Sequence, residues 1–556
     1  MEVKYTYVDE SFWKKFQEFT MEVGPKGGYW QSEDCYIIGR HFGPGYISEV
    51  LQRRFIQNLE SSQPVFISAQ TGTGKSTLIF DTILPILKER GQRLLILSSR
   101  SALDLQVKMK VIDEICPELR EQLTAVGICK RHAYGMVEVW TYQSIWGMLQ
   151  QNPDYLKQFG AVILDEAHFF EADAAFNPAT FDCLKSIVKG AHHALRFYLT
   201  ATPDNVFDEI VSAEFDALTL TQKVKIDQPD GNVHFLLFDF ARDYEYLDVV
   251  FFNRKEEIIN RIKDDGSDGK WIYFTVRKEE GKEIFQCLGE KLASYLDSET
   301  KKDEDAETFE LLVNNQKFEK KVLIATKVLD VGINIWDKRL TTVVIDSLNK
   351  TDFVQMIGRK RVTKNEKIKV YIKSPTSQSI GRKLGGCLEQ LRCWENFREK
   401  SGNIQNFLAL PFPFYVEVWN RQLINVKYNE LSFVNLKNQI KDLKKFSAEN
   451  EEERLKHILS WLNKDDVPIR WLNPVVSSDL RWLAAWLKSQ VHVPMDRTRY
   501  DEFQTEFTDK LRENGLIDLR NDRNLGIKSM NAFLFQNKLP FQVKSGDKGI
   551  HELVEV

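Results

Sequence analysis

Between Ala69 and Ser76 the chain reads Ala-Gln-Thr-Gly-Thr-Gly-Lys-Ser, and those residue types in that order can cradle a run of phosphates. Gly72 and Gly74 allow backbone N–H groups to turn inward, and a following helix offers its positive end. Lys75 then reaches the β- and γ-phosphates, and the Ser76 hydroxyl suits Mg2+. Gln70, Thr71, Thr73 and Thr77 complete the expected cradle. The first position is Ala where the strict pattern has Gly, so the pattern is relaxed there. Downstream, Ala161-Val-Ile-Leu-Asp-Glu-Ala-His168 is an apolar run ending in two acids. Such an ending sets carboxylates at the edge of a sheet where ligands of open α/β folds sit. Asp165 is expected to hold Mg2+ and Glu166 to orient and deprotonate an attacking water. Together the two clusters imply a nucleoside-triphosphate hydrolase using ATP and Mg2+.

These residues need strands to carry them. Short apolar runs at Val65–Ile67, Leu94–Leu97, Val137–Trp140, Ala161–Leu164 and Phe197–Leu199 alternate with amphipathic stretches. That alternation predicts a parallel sheet covered on both faces. The pattern restarts with Val233–Phe238, Trp271–Phe274, Val322–Ala325, Thr342–Ile345 and Ile368–Ile372, so two successive α/β blocks are expected. Beyond residue 385, periodic Leu/Trp stretches such as SSDLRWLAAWLKSQ predict amphipathic helices. GIKSMNAFLFQNKLPFQV reads as a helix followed by a strand. The expected division is a lead-in at 1–45, α/β blocks at 46–222 and 223–385, and a mainly helical accessory region at 386–556.

On these residues the chain resembles the superfamily 2 helicases of the DEAD/DEAH-box kind, and further matches run in the family's order. Ile96-Leu-Ser-Ser-Arg-Ser-Ala102 and Val139-Trp-Thr-Tyr-Gln-Ser144 are similar to motifs whose hydroxyl and arginine groups touch a nucleic-acid backbone, which implies contacts from Ser99, Arg100 and Thr141. Leu199-Thr-Ala-Thr-Pro203 is similar to the motif linking ATP state to strand grip, giving Thr200 and Thr202 a coupling role that His168 shares. In the second block, Trp271–Arg277 resembles a phosphate-touching strand end, implicating Thr275 and Arg277. Val322–Asn334 resembles the motif contacting both ATP and nucleic acid, implicating Thr326, Asp330 and Gly332. Gln355-Met-Ile-Gly-Arg-Lys-Arg361 resembles the arginine-finger motif, in which a guanidinium from the opposite lobe meets transition-state charge. Arg359 fits the first arginine. The family's second arginine usually follows three residues later, where this chain has Val362, and Arg361 comes one step early. Gln355 joins the same catalytic set. The resemblance implies two tandem RecA-like lobes with ATP between them and a strand across the top of both. An adenine-reading glutamine upstream falls at Gln52 or Gln57.

The bulk properties fit this picture. The chain has 556 residues, a formal charge of -4 and a pI near 6.2, so any grip on phosphates comes from local placement and not from a basic coat. Seven cysteines show no Cys-x-x-Cys pair, which leaves no zinc framework. No segment has the length or apolarity of a membrane span, and an intracellular, cytoplasmic protein is expected. Nucleic acid is the expected partner, with a lean toward DNA over RNA, and a protein partner is allowed through the C-terminal region. Trp394, Trp419, Trp461, Trp471, Trp482 and Trp486 crowd the last third; Trp482 and Trp486 sit at i, i+4, as core residues do. The function expected is an ATP-dependent helicase or translocase. Its rivals are a duplex translocase that does not separate strands, such as the motor subunit of a restriction or phage-defence complex, and an ATP-gated clamp.

Overall fold

The apolar runs become the strands of two mainly parallel sheets in the computed structural model of the chain. It describes residues 5–7, 29–32, 37–61, 63–70, 72–99, 101–123, 125–174, 177, 179–203, 206–218, 235–297, 306–326, 334–363, 366–399, 414–419, 422–472, 480–514, 516, 524–537, 539–545 and 550–555. The chain divides into two compact units, residues 1–251 with 268–470, and residues 252–267 with 471–556. The first unit holds both α/β blocks.

The first sheet contains β1 (Tyr5–Tyr7), β2 (Tyr29–Ser32), β3 (Ile37–Phe42), β4 (Val65–Ser68), β5 (Arg93–Ser98), β6 (Ala133–Tyr134), β7 (Val137–Thr141), β8 (Phe159–Asp165), β9 (Leu195–Thr200) and β10 (Phe235–Phe240). Its spatial order is β1-β2-β3-β10-β4-β9-β8-β5-β7-β6. The strands from β3 to β7 are parallel, and antiparallel β1, β2 and β6 lie at the edges. The central strands are buried along nearly their whole length, and for that reason they read as unbroken apolar runs.

Two expectations are corrected by this order. The run near Val233–Phe238 does not begin the second block: β10 lies between β3 and β4 in the first sheet. Part of the lead-in likewise joins that sheet as β1 to β3. A parallel strand pairs far from its neighbours in sequence, so an apolar run shows that a strand exists and not which sheet receives it.

The second sheet contains β11 (Leu247–Phe252), β12 (Lys270–Thr275), β13 (Ala293–Leu296), β14 (Val322–Ala325), β15 (Leu340–Asp346) and β16 (Ile368–Lys373), in the order β11-β16-β15-β12-β14-β13. Its four registers that link β12 to β16 are all parallel. Two RecA-like lobes are thus present, followed by a mainly helical region.

That region is fastened to the lobes at several points. Helix Ser377–Glu399 is followed by the hairpin β17 (Phe414–Trp419) and β18 (Gln422–Tyr428), then by helices Glu430–Ala448 and Glu451–Ser460. Asn429 Nδ2 donates to the carbonyl of Ala174 at 2.7 Å, and the Ser432 hydroxyl donates to the same oxygen. The end of helix Phe169–Ala174 therefore has partners for a carbonyl that its own turns cannot satisfy. Farther along, Trp461 packs edge-on against Phe353 of helix Lys350–Gly358, with ring centroids 5.3 Å apart.

The second unit has its own core, built from Leu483, Leu487, Tyr500, Phe503, Phe507, Met530, Leu534, Val543 and Leu553 among others. Trp486 stacks on Phe503 at 5.5 Å, so the i, i+4 tryptophan pattern marks packing. GIKSMNAFLFQNKLPFQV folds as expected, with helix Ile527–Gln536 followed by β19 (Phe541–Ser545), which pairs with β20 (His551–Glu555).

Candidate functional site

Strand order alone gathers the phosphate loop and the two acids. β9 lies between β4 and β8, and its last two carbonyls hold the loops on either side. The Ala69 amide donates to Thr200 O at 2.9 Å, and the Ala167 amide donates to Leu199 O at 2.9 Å. The Thr200 segment is thus bonded to both loops at once.

In the phosphate loop, Gly72 and Gly74 take φ of 92° and 88°, a left-handed backbone that glycine adopts without penalty. Thr73 Oγ1 donates to Gln70 O at 2.7 Å, and the Ile47 amide donates to Thr73 O at 2.9 Å. The helix that follows opens at Lys75–Thr77 and widens into a π-helical turn over Leu78–Ile83, just before Pro85. Lys75 Nζ is buried with no hydrogen-bond partner. The Asp165 and Glu166 carboxylates bear on this ammonium, but none of its three N–H donors is satisfied.

Glu166 is also in the left-handed region, with φ of 52°, at a cost of about 1 kcal/mol for a residue with a side chain. Its amide donates to Asp165 Oδ1 at 3.0 Å, while Tyr142 donates to the Asp165 carbonyl at 2.9 Å. Glu166 Oε2 is buried without a hydrogen bond, 3.3 Å from His168 Nδ1. Burial beside an ionised Glu166 lifts Asp165 to about 6. Against the penalty of its own burial, Lys75, His168, Arg359 and Arg361 hold Glu166 down at about 2. Burial lowers His168 to about 4, which leaves it neutral at pH 7. Its Nδ1 lies 3.4 Å from Thr200 Oγ1, and Thr200 Oγ1 accepts from the Thr202 amide at 3.1 Å.

The second lobe delivers its arginines through a change of backbone. Helix Lys350–Gly358 ends at Arg359, after which the chain runs extended beside Ile335. The Ile335 amide donates to Arg359 O at 2.8 Å, and the Arg361 amide donates to Ile335 O at 3.0 Å. Arg359 still has helical backbone, and both it and Arg361 bear on the Glu166 charge, while Lys360 turns aside to pair with Glu366 at 2.5 Å. This geometry accounts for an arginine that comes one step early relative to the family spacing. Arg359 is buried and donates to Gln355 Oε1 at 2.6 Å. Arg361 donates to Asn334 Oδ1 at 2.5 Å through one nitrogen. Its other terminal nitrogen, Nη1, is buried without a partner, 3.9 Å from where a Cβ on Gly72 would stand. Burial and the neighbouring Arg359 lower Arg361 to about 10.

The expected strand-gripping residues are less uniform. Ser99 is buried. Thr141 caps helix Tyr142–Gln151 by accepting from the Ser144 amide at 3.1 Å. Thr275 is fully buried, its hydroxyl engaged with the backbone of Arg277 at 3.3 Å, whereas Arg277 itself is exposed. Thr326 is buried at the end of β14. Thr71, Arg100, Asp330 and Gly332 lie outside the described residues. Gln52 donates to Glu49 O at 3.3 Å, and Gln57 is exposed at the end of its helix.

Three features went unread in the sequence. Tyr46, 57% exposed, sets its ring 3.6 Å from the Cβ position of Gly74. Gln70 Oε1 accepts from the Asp243 amide at 3.1 Å, which ties the phosphate loop to the segment joining the lobes. Arg242 of that segment donates to Ala201 O at 3.1 Å and to Ser68 Oγ at 3.4 Å. An aromatic ahead of the first helix was the only signal for Tyr46; the other two depend on where β10 goes.

A buried Lys-Asp-Glu cluster on one parallel sheet, met by arginines from a second, defines a P-loop nucleoside-triphosphatase with two RecA-like lobes. Residues 45–205 match the family described as Type III restriction enzyme, res subunit, and residues 253–361 match the helicase conserved C-terminal domain. No curated protein matches the chain. Among solved structures, S. cerevisiae Dbp5 bound to RNA and ADP BeF3 is 14% identical, with 60% of this chain and 84% of that chain covered and a TM-score of 0.42. A hypothetical ATP-dependent RNA helicase from Sulfolobus tokodaii is 17% identical over 57% of this chain and 91% of that one, with a TM-score of 0.25. Over these two stretches the chain is similar to helicase-type motor proteins, with the two matched domains in tandem as its two lobes are. The lean toward DNA is not upheld: where these solved structures name a nucleic acid, it is RNA bound to Dbp5. No helix among the described residues is long and apolar enough to cross a membrane.

Proposed function

We propose that ATP is hydrolysed in the cleft that Gly72, Lys75, Glu166 and Arg361 enclose, and that the cycle works the two lobes against each other along a nucleic-acid strand. One observation carries the assignment. Lys75 Nζ, Glu166 Oε2 and Arg361 Nη1 are all buried without a hydrogen bond, and both cations bear on the Glu166 charge. Groups of that kind are costly to leave unsatisfied, and a triphosphate with an attacking water satisfies all three.

In this reading the amides of Gly72–Ser76 and the Lys75 ammonium take the phosphates, with Gln70, Thr71 and Thr77 shaping the loop around them. Tyr46 offers a flat surface beside the loop for the nucleobase. Ser76 and Asp165 are the residues suited to Mg2+. A single carboxylate and a hydroxyl fit an ion that takes most of its ligands from phosphate and water, and no cluster of three metal-binding side chains occurs among the described residues. The ion would neutralise charge on the phosphoryl oxygens. Glu166, held ionised, accepts the proton of the attacking water. Arg361 and Arg359 meet the charge that develops on the phosphoryl group, and Gln355 positions Arg359. His168, Thr200 and Thr202 carry the state of the site to the strand face, where Ser99, Arg100, Thr141, Arg277 and Thr326 are the candidate contacts, while Asp330 and Gly332 are candidates for ATP contact. A reducing, cytoplasmic setting suits the free cysteines among the described residues.

A second reading, a translocase that tracks along duplex without separating it, is favoured by the match of residues 45–205 to the restriction-enzyme res subunit. Strand displacement measured beside triplex displacement separates the two. The cleft itself is tested by Arg361→Ala and Arg359→Ala. Arg361→Ala is expected to cut ATP turnover by roughly 10^3-fold with ATP binding retained. Full turnover in Arg361→Ala would remove that residue from the site.

A further inference from the structure

The second compact unit has an order of elements that points to a function of its own. Helix Arg481–Lys488 leads to Val491, which bridges β20 in parallel at Leu553. Helices Arg497–Glu513 and Ile527–Gln536 follow, and the hairpin β19–β20 closes the unit. The order helix, bridging segment, helix, helix, two-stranded hairpin, with Val491 and Met495 each bridged to the hairpin, resembles that of a winged helix. In helix-turn-helix folds the last helix is the one presented to nucleic acid.

Here that helix is fixed to the hairpin and leaves a distinct outer face. Asn531 Nδ2 donates to Val543 O at 2.9 Å and Asn531 Oδ1 accepts the Val543 amide at 2.7 Å, so helix and strand move as one piece. Met530, Phe533 and Leu534 point into the core. Lys528, Ala532 and Phe535, at i, i+4 and i+7, form the exposed side. Phe535 is 83% exposed, the most exposed large apolar side chain described. On β19, Gln542 and Lys544 alternate outward between buried Phe541 and Val543. Neither Lys528 nor Lys544 makes an ion pair with a described residue.

Charge is segregated within the unit. Residues 526–545 carry three lysines and no carboxylate, whereas residues 497–513 set five carboxylates against four cations, three of them in ion pairs within the helix. Those five, Asp501, Glu502, Glu506, Asp509 and Glu513, line one open groove of their helix. An anion approaching this unit finds uncompensated positive charge at residues 526–545.

We propose that helix Ile527–Gln536 and strand β19 form a second nucleic-acid-binding surface, on which Lys528 and Lys544 take backbone phosphates and Phe535 stacks on a base at the end of a duplex. Unpaired cations beside an exposed aromatic are the combination that holds phosphates and a base face together. A terminal base pair offers such a face without unstacking the helix.

The test uses the full chain and fluorescently labelled blunt duplex, forked duplex and single strand, each as DNA and as RNA. Lys528→Glu/Lys544→Glu is expected to weaken binding of duplex-bearing probes roughly tenfold at moderate salt, and to lower the slope of log affinity against log salt by about two. Phe535→Ala is expected to weaken the same probes roughly tenfold with the slope unchanged, because stacking releases no counterions. ATP hydrolysis without nucleic acid should match the parent in both, which shows that the chain is folded. Lys75→Ala should lose hydrolysis and keep this binding, so failure of the ATP-site reading and failure of this one give different results. Affinities within about twofold of the parent for every probe in both variants would overturn the proposal.

Discussion

The cleft between the lobes and the outer face of the terminal unit treat unpaired charge in opposite ways. In the cleft, Lys75, Glu166 and Arg361 each bury an atom that nothing in the protein satisfies. On the outer face, Lys528 and Lys544 are unpaired but exposed. A buried orphan is costly in the free protein and is already aimed at its ligand, so binding recovers the cost and geometry is strict. An exposed cation costs almost nothing, is screened by salt, and grips weakly enough to release. A third arrangement completes the comparison. Lys270 and Asp337 in the second lobe are equally buried but bonded to each other at 2.7 Å, so their charges serve the fold.

The comparison is broken most sharply at Lys75. Lys75→Ala is expected to lose ATP hydrolysis and ATP binding with little change in the thermal midpoint, because the lost compensation of Asp165 and Glu166 offsets the removal of an ammonium with no hydrogen bond. A fall in midpoint together with activity would mean that Lys75 is structural. Next in size, Glu166→Gln should reduce turnover on the order of 10^2-fold or more and leave nucleotide affinity intact. Unchanged hydrolysis in that variant would exclude Glu166 as the base.

Lys270→Met should leave the chemistry of the cleft alone and cost about 3 kcal/mol of stability, seen as faster hydrogen exchange in the strands around β12. The pH dependence sharpens the contrast further. Against the cost of burial, Lys270 and the Arg339 amide hold Asp337 below the ordinary carboxylate range. Its contribution is therefore complete above the unfolded-state value near 4 and is lost as pH falls through the lower folded-state value. Lys270→Met should flatten that acid limb; an unaltered acid limb would mean that the pair does not set it.

Much of the cleft was legible because its chemistry depends on local sequence. The glycines of the phosphate loop, the lysine behind them and the apolar strand ending in Asp165-Glu166 each declare themselves within eight residues. The parallel strands were legible for the same reason, since burial on both faces leaves unbroken apolar runs. What stayed hidden depended on partners distant in the chain. The place of β10 between β3 and β4 is decided by pairing across almost the whole first lobe. That Arg361 joins Arg359 in bearing on Glu166 needs Ile335 to draw the chain out of its helix, and no local pattern announces that exchange. The hydroxyl of Thr275, which reads as a phosphate contact, is fully buried and bonded to its own turn, a use of threonine that composition cannot separate from binding.

The stretch from Asn429 to Trp461 is anchored at one end on the carbonyl of Ala174, at the end of the helix that follows the acidic turn of the first lobe, and at the other on Phe353, in the helix that ends at Arg359 in the second. Its two helices, Glu430–Ala448 and Glu451–Ser460, have fixed lengths and little slack between them. Parting the lobes must therefore release an anchorage or flex the joint at Asn450. The segment thus links the lobe that carries Glu166 to the lobe that carries Arg359 and Arg361 by contacts outside the phosphate loop.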